Sequence, residues 1–301
     1  RLVRRSMPSQ VYETRSGTML FYPAAHIFLL KLLGMLPRNP WYQGTTFAEY
    51  IMISGADEAA IYADGQIRPD KLLFFGSQPL DIIHELWSNR EQLRHKLIDE
   101  YDLEADKSIL IVSLPRLWEQ NLATEDEHWQ YTKEILVALS QQDCNVIISL
   151  HPSSNQDLYK WVEECYPFRL LTEPLAEILV VADIFAAAYS STIRWAVGLG
   201  IPVINLDLWN LDWDMFKNLP GCQTVTTIPE FEELVAKLAS VPVDYDFNVG
   251  PDEVPSNGER GVLVDGKSNE RLMDFIQSLD LDDKSSTVNE RVPTTTGLGE
   301  H

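Results

Sequence analysis

Hydrophobic residues in this chain come in short solid runs separated by longer amphipathic stretches. Ile109–Leu114 (ILIVSL), Asn145–Leu150 (NVIISL), Ile184–Tyr189 (IFAAAY) and Pro202–Leu206 (PVINL) lack apolar–polar alternation. Such runs suit strands covered on both faces. Helical spacing is read at Glu125–Ser140, Gln156–Cys165, Leu175–Ala182 and Ile193–Leu199, the last stopped by Gly200. A short strand at Phe168–Leu171, a strand at Gln223–Ile228 and a helix at Pro229–Leu238, with Pro at its first position and acids in its first turn, complete the rhythm. Strands alternating with helices predict an α/β fold with a doubly wound, Rossmann-like parallel sheet.

The pattern is less regular upstream. Residues 1–17 read as polar and irregular, Thr18–Tyr22 as a strand, His26–Leu36 as a helix ended by Pro37, and Arg38–Gly44 as a loop with two aromatics. A strand–helix–strand unit comes next: Ala48–Ser54, Ala56–Ala63 and Leu72–Phe75 before Gly76. Pro79–Tyr101 reads as one long amphipathic helix. After Val241 the pattern fades, with one more helix expected at Asn269–Ser278 and a disordered polar tail from Asp280 to His301. The expected organisation is a reduced or truncated α/β part at 1–78, a Rossmann-like domain at 79–242 and a C-terminal segment at 243–301.

Composition narrows the partners. With 45 acids against 24 bases the formal net charge is −21, which argues against nucleic acid and against a simple electrostatic hold on anionic lipid. Cys144, Cys165 and Cys222 make no disulfide framework and no metal site, which suggests a reducing, cytoplasmic compartment. No apolar run reaches the roughly 18–20 residues needed to span a bilayer. Ile27–Leu36, interrupted by Lys31 and Gly34, reads as a core or interface helix, leaving at most peripheral membrane contact. No leader is expected, since no apolar run directly follows Arg1, Arg4 and Arg5, and a chain starting with Arg is taken as excised or incomplete.

Ligands of open α/β sheets sit beyond the carboxyl ends of the strands. Three ends matter: Leu114-Pro115-Arg116, Leu150-His151-Pro152-Ser153-Ser154, and Tyr189-Ser190-Ser191-Thr192. A strand that ends in Ser190, Ser191 and Thr192 and opens a helix offers backbone N–H groups, hydroxyls and a helix dipole to an anion, typically a phosphate. The same residues equally suit a plain helix cap. Arg194 either reaches that phosphate or pairs with a carboxylate. His151 and Ser153 stand at the ligand-bearing edge, where His151 is either structural or functional. Arg116 leaves its strand with Glu119 three residues on, as part of a site or of a surface loop. Asp207 either accepts from sugar hydroxyls or caps the helical turn after it. Dinucleotide (GxGxxG), P-loop and GxSxG fingerprints are absent, and no His pair has metal-ligand spacing.

The run LAEILVVADIFAAAYSSTIRWAVGLGIPVINLD (Leu175–Asp207) resembles the nucleotide-binding half of GT-B glycosyltransferases and of the related UDP-N-acetylglucosamine 2-epimerases. Their helix, strand, Ser-Ser-Thr or Ser-Gly-Gly turn, helix and Gly-x-Pro match Leu175–Ala182, Ile184–Tyr189, Ser190–Thr192, Ile193–Leu199 and Gly200-Ile201-Pro202. IISLHPSS (Ile147–Ser154) is similar to the His-Pro strand end of bacterial polysaccharide and glycerophosphate transferases, and Glu49–Asp81 to the end of their N-terminal domain. The resemblance implies a nucleotide-diphosphate sugar as donor substrate and no cofactor. It implies a carbohydrate or lipid-linked acceptor in surface or cell-wall synthesis, with Ser190–Thr192 on the diphosphate and His151 and Arg194 adding donors. The acceptor side, which often supplies the catalytic base, is short here, and His26 is the candidate base left in it. One departure stands out: Trp195 occupies the position of the Glu that binds the nucleotide ribose in the family. An epimerase of the related fold and a non-catalytic binding protein are the alternative expectations.

Overall fold

In the computed structural model Ile109–Ser113 forms a strand whose four aliphatic residues are closed to solvent. The structure describes residues 2–14, 17–41, 48–64, 67–119, 122–217, 219–240 and 262–279. In chain order the elements are α1 (Leu2–Ser6), β1 (Val11–Thr14), β2 (Gly17–Leu20), α2 (Ala24–Leu32), β3 (Ile51–Ile53), α3 (Ala56–Asp64), β4 (Leu72–Phe74), α4 (Gln78–Trp87), α5 (Arg90–Tyr101), β5 (Ile109–Ser113), α6 (Glu125–Ser140), β6 (Asn145–Ser149), α7 (Trp161–Cys165), β7 (Arg169–Leu170), α8 (Leu175–Ile178), β8 (Ile184–Ala187), α9 (Thr192–Leu199), β9 (Val203–Leu206), β10 (Cys222–Val225), α10 (Ile228–Ala239) and α11 (Ser268–Ser278).

Strands β5 to β10 form a parallel six-stranded sheet in the order β7-β6-β5-β8-β9-β10. This is the doubly wound sheet the sequence predicts, with its order reversing between β5 and β8. Ile109 and Ile111 of β5 and Phe185 and Ala187 of β8 enter one core with residues of α4, α5 and α9. Leu110, Val112, Ile184 and Ala186 enter the other, with residues of α6 and α10. Both faces are buried, so the runs do not alternate.

Polar anchors hold the amino edge. The Arg94 guanidinium lies 3.1 Å from Asp183 and donates to the Val181 carbonyl at 3.0 Å. Asp183 also accepts from the Ile109 amide at 2.6 Å. This buried pair joins α5 to the starts of β5 and β8. Helix α6 opens with a reciprocal capping box of Thr124 and Glu127.

Strands β3 and β4 pair in parallel around the α3 crossover. The chain returns to them near its C-terminal end: the Leu263 amide donates to the Ser54 carbonyl (3.0 Å), and the Phe275 ring meets Tyr50 and Phe75 edge-on. Asp81 of α4 caps α11 from a distance, accepting from the Ser268 and Asn269 amides at 3.0 and 2.9 Å. Val262 and Val264 are fully buried in the first core against Gly198 of α9, where a Cβ would lie 2.6 Å from Val264 Cγ2.

Several boundaries differ from those read in the sequence. The expected helix Pro79–Tyr101 is two helices, broken at Ser88-Asn89, where Asn89 leaves helical geometry (φ −110°, ψ 12°). Ser and Asn side chains compete for backbone groups and disfavour helix interiors. The region 1–17 holds α1 and β1, because Val3 and Met7 bury against Ile27 and β1 pairs antiparallel with β2. Helix α2 ends at Leu32, ahead of a left-handed Gly34 (φ +68°), so the glycine stops it before Pro37 does. The stretches 156–165 and 175–182 each divide into a 3₁₀ turn and a short α-helix. Trp41 packs on Tyr12 and Phe21, with ring centroids 5.4 and 5.2 Å apart. The expected tail from 280 and the stretch 241–261 lie outside the described residues.

Substituting Gly198→Ala is expected to cost about 1–3 kcal/mol through overpacking against Val264. Chemical denaturation of Gly198→Ala, Val264→Ala and the double variant reads the coupling: the double variant loses less than the two single losses together.

Candidate functional site

Two of the three strand ends marked in the sequence flank the β5–β8 reversal, and the third lies beside β5. Together they enclose a cavity of about 100 Å³ whose lining includes Ser113, Arg116, His151, Tyr189, Ser190 and Trp213. None of the described residues lining it is acidic. A larger cavity between α4, α5 and α8 is rich in glutamates, among them Glu85, Glu100, Glu173 and Glu177, and lies away from this edge.

The turn out of β8 is strained. Tyr189 has φ +47°, a left-handed conformation that bulky side chains avoid. Contacts on both sides hold it there. Its amide donates to Asn205 Oδ1 at 2.9 Å, its hydroxyl accepts from the Trp213 amide at 3.0 Å, and its ring lies against Trp213 and Phe216. Burial, and then the charge of Asp207, hold the Tyr189 phenol far above its ordinary range, so it stays protonated. Ser190 Oγ accepts from the Thr192 amide at 3.3 Å and lies 2.7 Å from Thr192 Oγ1. The Ile193 and Arg194 amides donate to the Ser190 and Ser191 carbonyls at 3.1 and 3.2 Å. Ser190 thus takes the capping role, and Ser191 stands exposed with no side-chain capping bond.

Across the cavity, the Arg116 guanidinium donates to Ser153 Oγ and lies 3.5 Å from His151 Nδ1. The Ser153 amide donates to His151 Nδ1 at 3.1 Å. A neutral ring that accepts at Nδ1 carries its proton on Nε2, so His151 has an N–H left to offer an anion. Glu119 pairs with Arg116 Nε at 3.4 Å.

The other residues marked in the sequence have different surroundings. Arg194 is buried in an ion pair with Asp57 of α3 at 2.5 Å, with Glu58 at 3.7 Å, and its guanidinium lies over the Phe216 ring. It ties α9 to α3 and does not line the cavity. Asp207 is 2% exposed and accepts from the Leu211 and Asp212 amides at 2.7 and 2.9 Å, capping the loop that delivers Trp213. His26 is exposed on α2 and Trp195 packs half-buried on the first core; neither lines the cavity. Among the described residues no group of three or more His, Cys, Asp or Glu side chains is placed to hold a metal ion.

Trp213 was not singled out from the sequence, and Tyr189 stood there only as the residue that leads into Ser190. The usable signal was position: the Trp-rich loop after β9 leaves the same sheet edge. His128 of α6 was missed too. It is buried near the loop that carries Arg116, with Nε2 2.9 Å from the Tyr159 hydroxyl and Trp118 and Trp129 packed around the ring. Burial pushes its imidazole below the ordinary value against the pull of Glu119 and Glu125.

No protein-family profile matches the chain, and no curated protein matches it by sequence. Solved structures do match. The UDP-GlcNAc 2-epimerase of Methanocaldococcus jannaschii, in complex with UDP-GlcNAc and UDP, shares 14% identity at a TM-score of 0.51 over 76% of this chain and 61% of that one. A glycosyltransferase from Rickettsia africae ESF-5 shares 11% at 0.50, over 87% and 69%. The wall teichoic acid polymerase TagF shares 14% at 0.50, over 89% and 64%. The fold is of the GT-B type. In GT-B terms the six-stranded sheet is the Rossmann-like unit, and the part before it is small. The chain spans 61% of the epimerase and 64% of TagF, less than two thirds of either.

Asp57→Ala leaves the Arg194 guanidinium buried without its nearest partner, an expected loss of about 3 kcal/mol in denaturant unfolding. Burial makes the folded His128 ring take its proton at lower pH than the unfolded ring, which does so near pH 6.5, so its contribution is full above about pH 6.5 and falls as pH drops further. His128→Gln is expected to reduce the loss of denaturation midpoint between about pH 7.5 and pH 5.5.

Proposed function

We propose that the chain is a GT-B glycosyltransferase-type protein that binds a nucleotide-activated sugar at the β5–β8 reversal and transfers the sugar to a carbohydrate or lipid-linked acceptor. One observation carries the reading. In a chain with 45 acids and 24 bases, the cavity at the reversal is lined by Arg116, His151 and Ser190 and by no described acid. These donors suit a small anion even with Glu119 paired to Arg116 Nε. A cavity of about 100 Å³ holds only part of a nucleotide sugar. The part matching its donors is the diphosphate, with base and sugar lying beyond it.

The chemistry comes from those donors. As the glycosidic bond breaks, negative charge builds on the departing nucleoside diphosphate. Fixed donors aimed at that charge lower the barrier more than they stabilise the intact substrate. Arg116 supplies the charge, His151 Nε2–H and the Ser190 hydroxyl supply hydrogen bonds, and the bracing of Tyr189 keeps the turn in place. The hydrogen bond at Nδ1 makes His151 a donor to the leaving group. The likeness to an epimerase solved with UDP-GlcNAc and UDP supports a nucleotide-sugar ligand.

A binding protein without transfer activity is the second reading, favoured by Trp195. An indole has one donor and no acceptor for ribose hydroxyls, and neighbouring Arg194 is taken up by Asp57.

At about one hundred times its Kd, a nucleoside diphosphate is expected to add about 2.7 kcal/mol of stability. Thermal unfolding with UDP, CDP, GDP and ADP reads this as an upward shift of several degrees for at least one of them. Arg116→Ala reduces the shift, and Ser191→Asp, an exposed substitution that places a carboxylate at the turn, abolishes it. Absence of both protection and titration heat with all four sinks the reading.

A further inference from the structure

A buried histidine beside the cavity has no part in the donor set described above. His128 lies near the start of α6 and is fully buried. The same helix face continues with Thr132, Ile135, Leu136 and Leu139, all buried. Among the described residues His128 Nδ1 and Thr132 Oγ1 have no hydrogen-bond partner, a cost that apolar side chains at these positions avoid. The contacts of His128 give that cost a purpose. Its Nε2 lies 2.9 Å from the hydroxyl of Tyr159, itself buried. Its ring meets Trp118 with centroids 6.1 Å apart, and Trp129 packs on His128 and Tyr159 at 4.9 and 5.2 Å. Burial pushes the Tyr159 phenol up to about 12, so the hydroxyl keeps its proton.

Trp118 and Tyr159 belong to the two segments that carry the cavity's donors. Trp118 stands between Arg116 and Glu119 in the segment leaving β5, next to buried Leu117, whose carbonyl accepts from the Leu122 and Ala123 amides at 2.8 and 3.2 Å. Tyr159 follows His151 and Ser153 in the segment leaving β6. We propose that His128 is a positioning residue for anion binding: in contact with Trp118 through its ring and with Tyr159 through Nε2, it sets the spacing between Arg116 on one segment and His151 and Ser153 on the other. The inference rests on the reading of the cavity as a diphosphate site. Donors from two segments serve one diphosphate only if both reach it together, and small misplacements weaken such a set steeply. The bond from Arg116 to Ser153 lies at the cavity, where a phosphate oxygen can replace the hydroxyl. The His128–Tyr159 bond is buried away from the ligand and strengthened by its low-dielectric surroundings, so it holds the spacing while the ligand is bound.

Isothermal titration of the 301-residue chain with UDP, CDP, GDP and ADP, at a temperature where each variant is folded, tests it. His128→Leu fills the space without the hydrogen bond, and Tyr159→Phe removes a single oxygen. Each is expected to raise the Kd of the nucleotide that binds the unaltered chain about fivefold, the net contribution of one buried hydrogen bond. Tyr159→Phe decides the matter if the leucine variant does not fold. His128→Gln, whose amide can still meet the Tyr159 hydroxyl, restores the affinity. In an Arg116→Ala background His128→Leu has little further effect, because the two act as one unit. A merely structural histidine lowers the unfolding midpoint and leaves the Kd of the folded chain unchanged. Unchanged affinity in both His128→Leu and Tyr159→Phe, or the same loss from His128→Leu with and without Arg116, overturns the proposal and leaves the nucleotide reading standing. No heat from any of the four nucleotides with the unaltered chain removes that reading and this inference with it.

Discussion

The side-by-side pairing of β5 and β8 is the constraint on which the rest of the site depends. Both strands are buried on both faces, and their registry runs from Leu110–Ile184 to Ser113–Ala187. Neither strand has a face free for a ligand, so polar chemistry has to appear where they end. The order of the sheet reverses between them, so the connections leaving them diverge and a cavity opens there. Arg94 and Asp183 secure the opposite edge, where one ion pair joins α5 to the starts of both strands.

The carboxyl edge itself is held by contacts remote in sequence. Tyr189 keeps a left-handed backbone because Asn205 of β9 and the loop shaped by Asp207 brace it. Arg116 and His151 come from different strands and share Ser153. Among the described lining residues Arg116 carries the one charge, and Glu119 pairs with its Nε. Charge in this protein varies by region: residues 1–42 carry six bases against one acid, while the chain as a whole has a formal charge of −21.

The expected fold class and the central sheet were legible because apolar runs without alternation have one good explanation, strands covered on both sides. The site was legible in part for the same reason. Once the strands are placed, their carboxyl ends are known, and Arg116, His151 and Ser190 do line one cavity. Arg194 shows where such reading stops. A basic residue one turn into a helix is compatible with a phosphate or with a carboxylate, and only the placement of α3 shows Asp57 beside it. Asp207 was equally open until the loop it caps was placed. The break at Ser88-Asn89 was visible in residue type but overridden by an apolar spacing that stays in phase across it.

Local pattern alone determined the strands of the six-stranded sheet, the helices α6, α9 and α10 and the turn at Ser190–Thr192, because these depend on residues near one another in sequence. Periodicity and turn chemistry act over a few residues, so one chain segment suffices to read them. Tertiary structure decided which of several compatible partners each polar side chain takes. It sent Arg194 to Asp57, set His151 Nδ1 to accept from Ser153, and brought Tyr189 and Trp213 to the cavity. It also left Phe28, Leu29, Leu32 and Leu33 facing outward around a helix whose buried side is Ile27. The physical reason is that ion pairing, side-chain hydrogen bonding and exposure depend on distance in space, which the order of residues does not contain.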